Sequence, residues 1–79
     1  MNLSVIVAML NEERAIGVTL DAIRAGAPSA EIIVVDGGST DRSIEIANAR
    51  GSRTLTAGRG RACQMNAGAA VACGDALVF

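Results

Sequence analysis

Apolar runs and helix-spaced apolar positions alternate along the chain, with a repeat of roughly 20 to 25 residues. Residues 3 to 9 (LSVIVAM) read as a buried strand. Asn11 then stands where a helix cap belongs, with Glu12 and Glu13 in the first turn. Ile16, Leu20 and Ile23 give the i, i+4, i+7 stripe of that helix, and Gly26 with Pro28 ends it. Residues 31 to 36 (EIIVVD) form a second strand, and Ser39 or Thr40 caps a second helix that carries Ile44 and Ala47 and stops at Gly51. A short third strand is expected at residues 53 to 56 (RTLT). A third helix is expected from about Arg61 to Cys73, with Ala62, Met65, Ala69 and Ala72 on one face and Gly74 as its stop. Residues 76 to 79 (ALVF) begin a fourth strand.

Strand, helix, strand, helix with short links predicts right-handed βαβ units and a parallel sheet covered on both faces. The expected class is therefore α/β, Rossmann-like, within one small domain of 79 residues. No linker or low-complexity tract divides it. The chain stops on Phe79 inside an apolar strand, which reads as the amino-terminal part of a longer protein. An unfinished sheet of that kind offers an unpaired edge for self-association.

Composition narrows the picture further. The chain is 51% hydrophobic with a single aromatic residue, so its core is built from Ala, Val, Ile and Leu, which suits helix-on-sheet packing. A net charge of −1 provides no basic field for nucleic acid or an anionic membrane. No apolar stretch approaches the ~20 residues of a membrane span, and the start of the chain does not read as a signal peptide, so a cytoplasmic protein is the default expectation. Two cysteines without a histidine do not suit a zinc site. On one helix Cys63 and Cys73 would stand ~15 Å apart, too far for a disulfide, and both read as packing residues.

The candidate chemistry lies in the loops after the strands, where open parallel sheets bind ligands. Asp36 ends the second strand and is followed by Gly37 and Gly38. Its carboxylate can accept from a ribose hydroxyl or a base N–H, while the glycines let backbone approach a ligand. The alternative is a purely local role, with Asp36 helping to cap the next helix and the glycines forming a turn. In the first loop (AMLNEE, residues 8 to 13) Glu12 is the better ligand candidate and Glu13 a solvated acid. Two acids at a helix start oppose phosphate there. The third loop carries Arg59 and Arg61 beside Gly58 and Gly60, a match for a diphosphate. Asn66, one turn further along a helix of small apolar residues, needs a polar partner.

Three segments, SVIVAMLNEE (4 to 13), EIIVVDGGSTD (31 to 41) and GRGRACQMNAGAAVACGDALVF (58 to 79), together resemble the start of a family 2 glycosyltransferase of the GT-A fold. The resemblance is strongest to the bacterial subfamily described as radical-SAM/selenodomain-associated transferases. It implies a nucleotide-diphosphate sugar donor, a divalent metal (Mg²⁺ or Mn²⁺) and transfer of the sugar to an acceptor hydroxyl. By that resemblance the first loop lies along the nucleotide, with Ala8 in place of the usual proline and Leu10 in place of the usual tyrosine. Glu12 approaches base or ribose. Val35 and Asp36 match the strand end before the nucleotide, and Gly37, with Gly38 after it, stands where the family often has a second aspartate. Arg61 takes the position of a basic residue near the nucleotide, and Asn66 matches a family asparagine. The family's metal-binding D-x-D motif follows the fourth strand, and Asp75, in the turn before that strand, does not replace it. Residues 1 to 79 thus read as the nucleotide-sugar-binding part of the domain, with no catalytic or metal-ligating residue of their own. The alternative is a small non-catalytic α/β nucleotide-binding or assembly module.

Overall fold

The computed structural model describes residues 3–58, 60–71 and 76–78. Seven elements alternate along it: β1 (Leu3–Met9), α1 (Ile16–Gly26), β2 (Glu31–Asp36), α2 (Ser43–Ala49), β3 (Arg53–Thr56), α3 (Arg61–Val71) and β4 (Ala76–Val78). The first three strands occupy the segments that their apolar runs predict. All four strands are parallel, in the order β3-β2-β1-β4. The register of the central pair runs from Ser4 opposite Glu31 to Met9 opposite Asp36, so β1 and β2 end level with each other.

Strand alternation divides the core in two, because successive side chains point to opposite sheet faces. Met9, Ile32 and Val34 meet Ile16 and Leu20 of α1 and Ala47 of α2 on one face. Ile6, Ile33 and Val35 face α3, with Met65, Ala67 and Ala69 packed against them. Gly68 allows that close approach. A Cβ there would overlap Ile6 and would stand 3.1 Å from a Val35 methyl. On the other face Arg50 ties the two helices, donating to the Gly17 carbonyl at 3.1 Å and pairing with Asp21.

Three local expectations are corrected. Asn11 is not a helix cap: α1 starts at Ile16 after a turn, with no acid in its first turn. Asn11 adopts a left-handed conformation (φ 51°) and its side chain is engaged by another loop. Likewise α2 starts at Ser43, beyond Ser39 and Thr40. The buried face of α3 is centred on Gln64 and Gly68, while Ala62 and Cys63 are exposed, so Cys63 is not a packing residue. Arg59, Ala72, Cys73, Gly74, Asp75 and Phe79 lie outside the described residues.

Candidate functional site

The strand order reverses beside β1: β2 follows on one side and β4 returns on the other. The crevice at the carboxyl ends of the strands next to such a reversal is the usual ligand site of an open α/β sheet. Because β1 and β2 end level, the loops that leave them, residues 10–15 and 37–42, lie side by side there.

Backbone and side chains stitch these two loops together. The Asn11 N–H donates to Ser39 Oγ at 2.8 Å, and Asn11 Oδ1 accepts from the Thr40 N–H at 2.8 Å. The Glu12 N–H donates to Ser43 Oγ at 2.7 Å and the Glu13 N–H to Asp41 Oδ2 at 3.2 Å. Gly37 closes the seam by donating its N–H to the Met9 carbonyl at 2.9 Å. With the left-handed turn at Asn11, this seam leaves Leu10, Glu12 and Gly38 exposed above it.

Asp36 stands under the seam and has no solvent exposure. Its Oδ2 accepts from the N–H groups of Gly38 (2.9 Å) and Ser39 (2.8 Å), and its Oδ1 accepts from the Ser39 hydroxyl. An ionised carboxylate offers about four acceptor positions, so three are already taken within its own loop. Here the carboxylate shapes the turn that contains Gly38 (φ 105°). It does not cap α2. Asp41, just before the N-cap Arg42, accepts at its Oδ1 from the N–H and hydroxyl of Ser43, the first residue of α2, at 2.9 and 2.5 Å. The Ser43 hydroxyl, more than the backbone N–H groups of Ser43 and Glu13, holds the Asp41 carboxyl below its ordinary value, against a smaller opposing effect of desolvation.

The remaining sequence-derived positions are dispersed. Val35 is fully buried in the core, and its carbonyl already accepts a side-chain amide, so neither is open to a ligand. Ala8 is half-buried beside it, as its register partner in β1. Arg61 is the first residue of α3. Asn66 is exposed, so water can serve as the partner its amide needs. Sequence reasoning missed Gln64. Its side-chain nitrogen donates to the carbonyls of Met9 (3.1 Å) and Val35 (2.8 Å), joining α3 to the ends of both central strands. The signal was a polar residue four positions before the one glycine of a small-residue helix. Among the described residues, no three His, Cys, Asp or Glu side chains converge as a metal site. No helix of the described residues is long and apolar enough to cross a membrane.

With this geometry in place, comparison with known proteins identifies the family. The model of glycosyl transferase family 2 matches residues 4–79. The chain belongs to that family. Solved structures of glucosyl-3-phosphoglycerate synthase from Mycobacterium tuberculosis are similar to it. One shares 29% identity at a TM-score of 0.84, covering 99% of this chain and 33% of that one. Another, in complex with Mn²⁺, uridine-diphosphate and glucosyl-3-phosphoglycerate, shares 27% identity at a TM-score of 0.80, covering 98% of this chain and 32% of that one. A third, in complex with uridine-diphosphate, shares 34% identity at a TM-score of 0.62, over 70% of this chain and 21% of that one. The chain therefore spans about a third of the length of the first two. No curated protein matches it. The family 2 chain thus has an α/β fold of the GT-A type, built on a parallel sheet.

Proposed function

We propose that this chain is the donor-binding part of a glycosyltransferase that moves a sugar from a nucleotide-diphosphate donor to an acceptor hydroxyl. The observation that carries the proposal is the seam between the β1 and β2 loops, beside the reversal of strand order. It presents exposed acids, Glu12 and Glu13, one exposed apolar side chain, Leu10, and glycine backbone on a fixed frame. A nucleoside needs that combination: apolar surface against the base, a hydrogen-bond acceptor for ribose or base, and backbone that approaches closely. The Mycobacterium neighbours with uridine-diphosphate bound support the same class of ligand.

In this reading Leu10 lies against the base and Glu12 accepts from ribose or base. Gly37 and Gly38 form the floor, shaped from beneath by Asp36, with Ala8 and Val35 behind it. Arg61, at the start of α3, draws the diphosphate, and Asn66 lies on the same helix. The described residues do not by themselves fit a divalent cation, which takes several oxygen ligands. Mg²⁺ or Mn²⁺, which would stabilise the departing diphosphate, is therefore assigned to residues other than the described ones. Residues 1–79 alone are accordingly assigned donor binding without sugar transfer, in a cytoplasmic protein, with self-association through the sheet edge.

Calorimetric titration of the intact protein with uridine diphosphate, guanosine diphosphate and the free nucleosides tests this reading. Saturable binding of one diphosphate, weakened by Glu12→Gln and by Arg61→Ala, is expected. Equal losses for diphosphate and nucleoside in Arg61→Ala would remove the diphosphate role of Arg61. Absence of binding to either diphosphate would favour a non-catalytic assembly module.

A further inference from the structure

Gln64 is 5% exposed in a helix otherwise made of small and apolar side chains near the sheet. A buried primary amide is costly unless its hydrogen bonds are made. Here its nitrogen donates to Met9 O at 3.1 Å and to Val35 O at 2.8 Å. Those carbonyls belong to neighbouring strands at the level where each leaves the sheet. Met9 O also accepts from the Gly37 N–H at 2.9 Å, so one oxygen is shared by the β2 loop and by α3. The contact is close: a Cβ added to Gly37 would stand 3.2 Å from the Gln64 side-chain nitrogen and would press on it. Gly37 needs no glycine-only backbone, having no positive φ, so its missing side chain is explained by the room that Gln64 takes.

We infer that Gln64 is a positioning residue of the donor site, its buried amide fixing the ends of β1 and β2, and so both loops, against the first turns of α3. This rests on the donor-site reading above. Two N–H donors on one nitrogen are required, because two carbonyls are served. Glutamate would set carboxylate oxygens against carbonyl oxygens, and methionine would fill the volume and donate nothing. Gln64 also follows Arg61 by three residues, a spacing that keeps two positions on one side of a helix. Fixing Gln64 therefore fixes the phase of the helix start relative to Leu10, Glu12 and Gly38.

The test is uridine diphosphate affinity in the intact protein, measured at a temperature where circular dichroism shows each variant folded. Gln64→Met is expected to weaken binding about tenfold, the scale of one or two lost hydrogen bonds. Gly37→Ala, which presses on the same amide while keeping Gln64, is expected to weaken it as well. The double variant should lose little beyond Gln64→Met, since residues in contact do not act additively. Folded Gln64→Met with unchanged affinity would overturn the inference and leave Gln64 a packing residue. Strictly additive losses would also overturn it. If Gln64→Met does not fold, Gly37→Ala decides alone, and unchanged affinity in it contradicts the inference. An unsubstituted protein that binds no nucleoside diphosphate would instead overturn the donor-site reading, and this inference with it.

Discussion

Asn11 and Thr40 meet across the two loops, the asparagine side-chain oxygen accepting the Thr40 N–H at 2.8 Å. Asn11 does this from a left-handed backbone (φ 51°), a conformation that costs most L-residues roughly 1–2 kcal/mol. Asparagine tolerates it better than most. Asn11→Gly therefore keeps the backbone and loses only the side-chain bond, whereas Asn11→Ala loses both. Urea denaturation is expected to show Asn11→Ala as the less stable variant by about 1 kcal/mol. Equal stability of the two would mean that the left-handed turn is not held in solution.

The close approach of Gly68 to Ile6 makes a second prediction. Gly68→Ala is expected to destabilise the protein by about 1–3 kcal/mol through overpacking, despite the better helix propensity of alanine. In an Ile6→Ala background, which lacks the γ carbons that face that Cβ, Gly68→Ala should cost less. A Gly68→Ala variant as stable as the parent would show that α3 does not lie this close to the sheet.

Much of this architecture is legible in the sequence, and the places where it is not share a cause. LSVIVAM, EIIVVD and RTLT mark their strands because apolar and β-branched runs between turn residues have few other uses. Ile16 and Leu20 likewise mark the buried side of α1 by spacing alone. Asn11 misleads because the same side-chain oxygen can accept a helix N–H or, as here, the N–H of a residue 29 positions away. A sequence window contains only the first choice. Gln64 is missed for a similar reason: no sequence window shows that two strand ends stand opposite a polar residue of a small-residue helix. Asp36 shows the same limit: its carboxylate holds the turn at Gly38 and Ser39 and does not cap α2, a distinction no sequence window makes.

Asp36→Ala would leave the Gly38 and Ser39 N–H groups and the Ser39 hydroxyl without their carboxylate. The expected cost is about 1.5–3 kcal/mol, the range for hydrogen bonds to a charged group. Nucleoside diphosphate affinity should fall in parallel, because the turn that carries Gly38 loses its frame. A stable Asp36→Ala protein with lost affinity would instead make direct ligand contact the main role of the carboxylate.

Acid dependence should single out Asp41. Its folded-state value lies below the ordinary 3.8, chiefly through the Ser43 hydroxyl, so the folded state favours the ionised form. The stabilisation is then fully present above the unfolded value and is lost as pH falls through the lower, folded one. Stability of the parent relative to Asp41→Asn should be constant near neutral pH and should narrow only below 3.8. A difference that already narrows well above that value would contradict the sign of the shift.

Whether a nucleoside diphosphate sits on the seam between the β1 and β2 loops can be read from amide chemical-shift mapping. The intact, isotope-labelled protein is titrated with uridine diphosphate, and the perturbed amides are assigned. The largest saturable shifts are expected at Leu10, Glu12, Gly37 and Gly38 and in the first turn of α3. Little change is expected at the amides of Ala27, Ser29 and Ala30, which with Leu3 and Pro28 line a cleft of about 180 Å³ at the opposite end of the strands. Shifts concentrated in that cleft, or none in either place, would contradict binding on the seam.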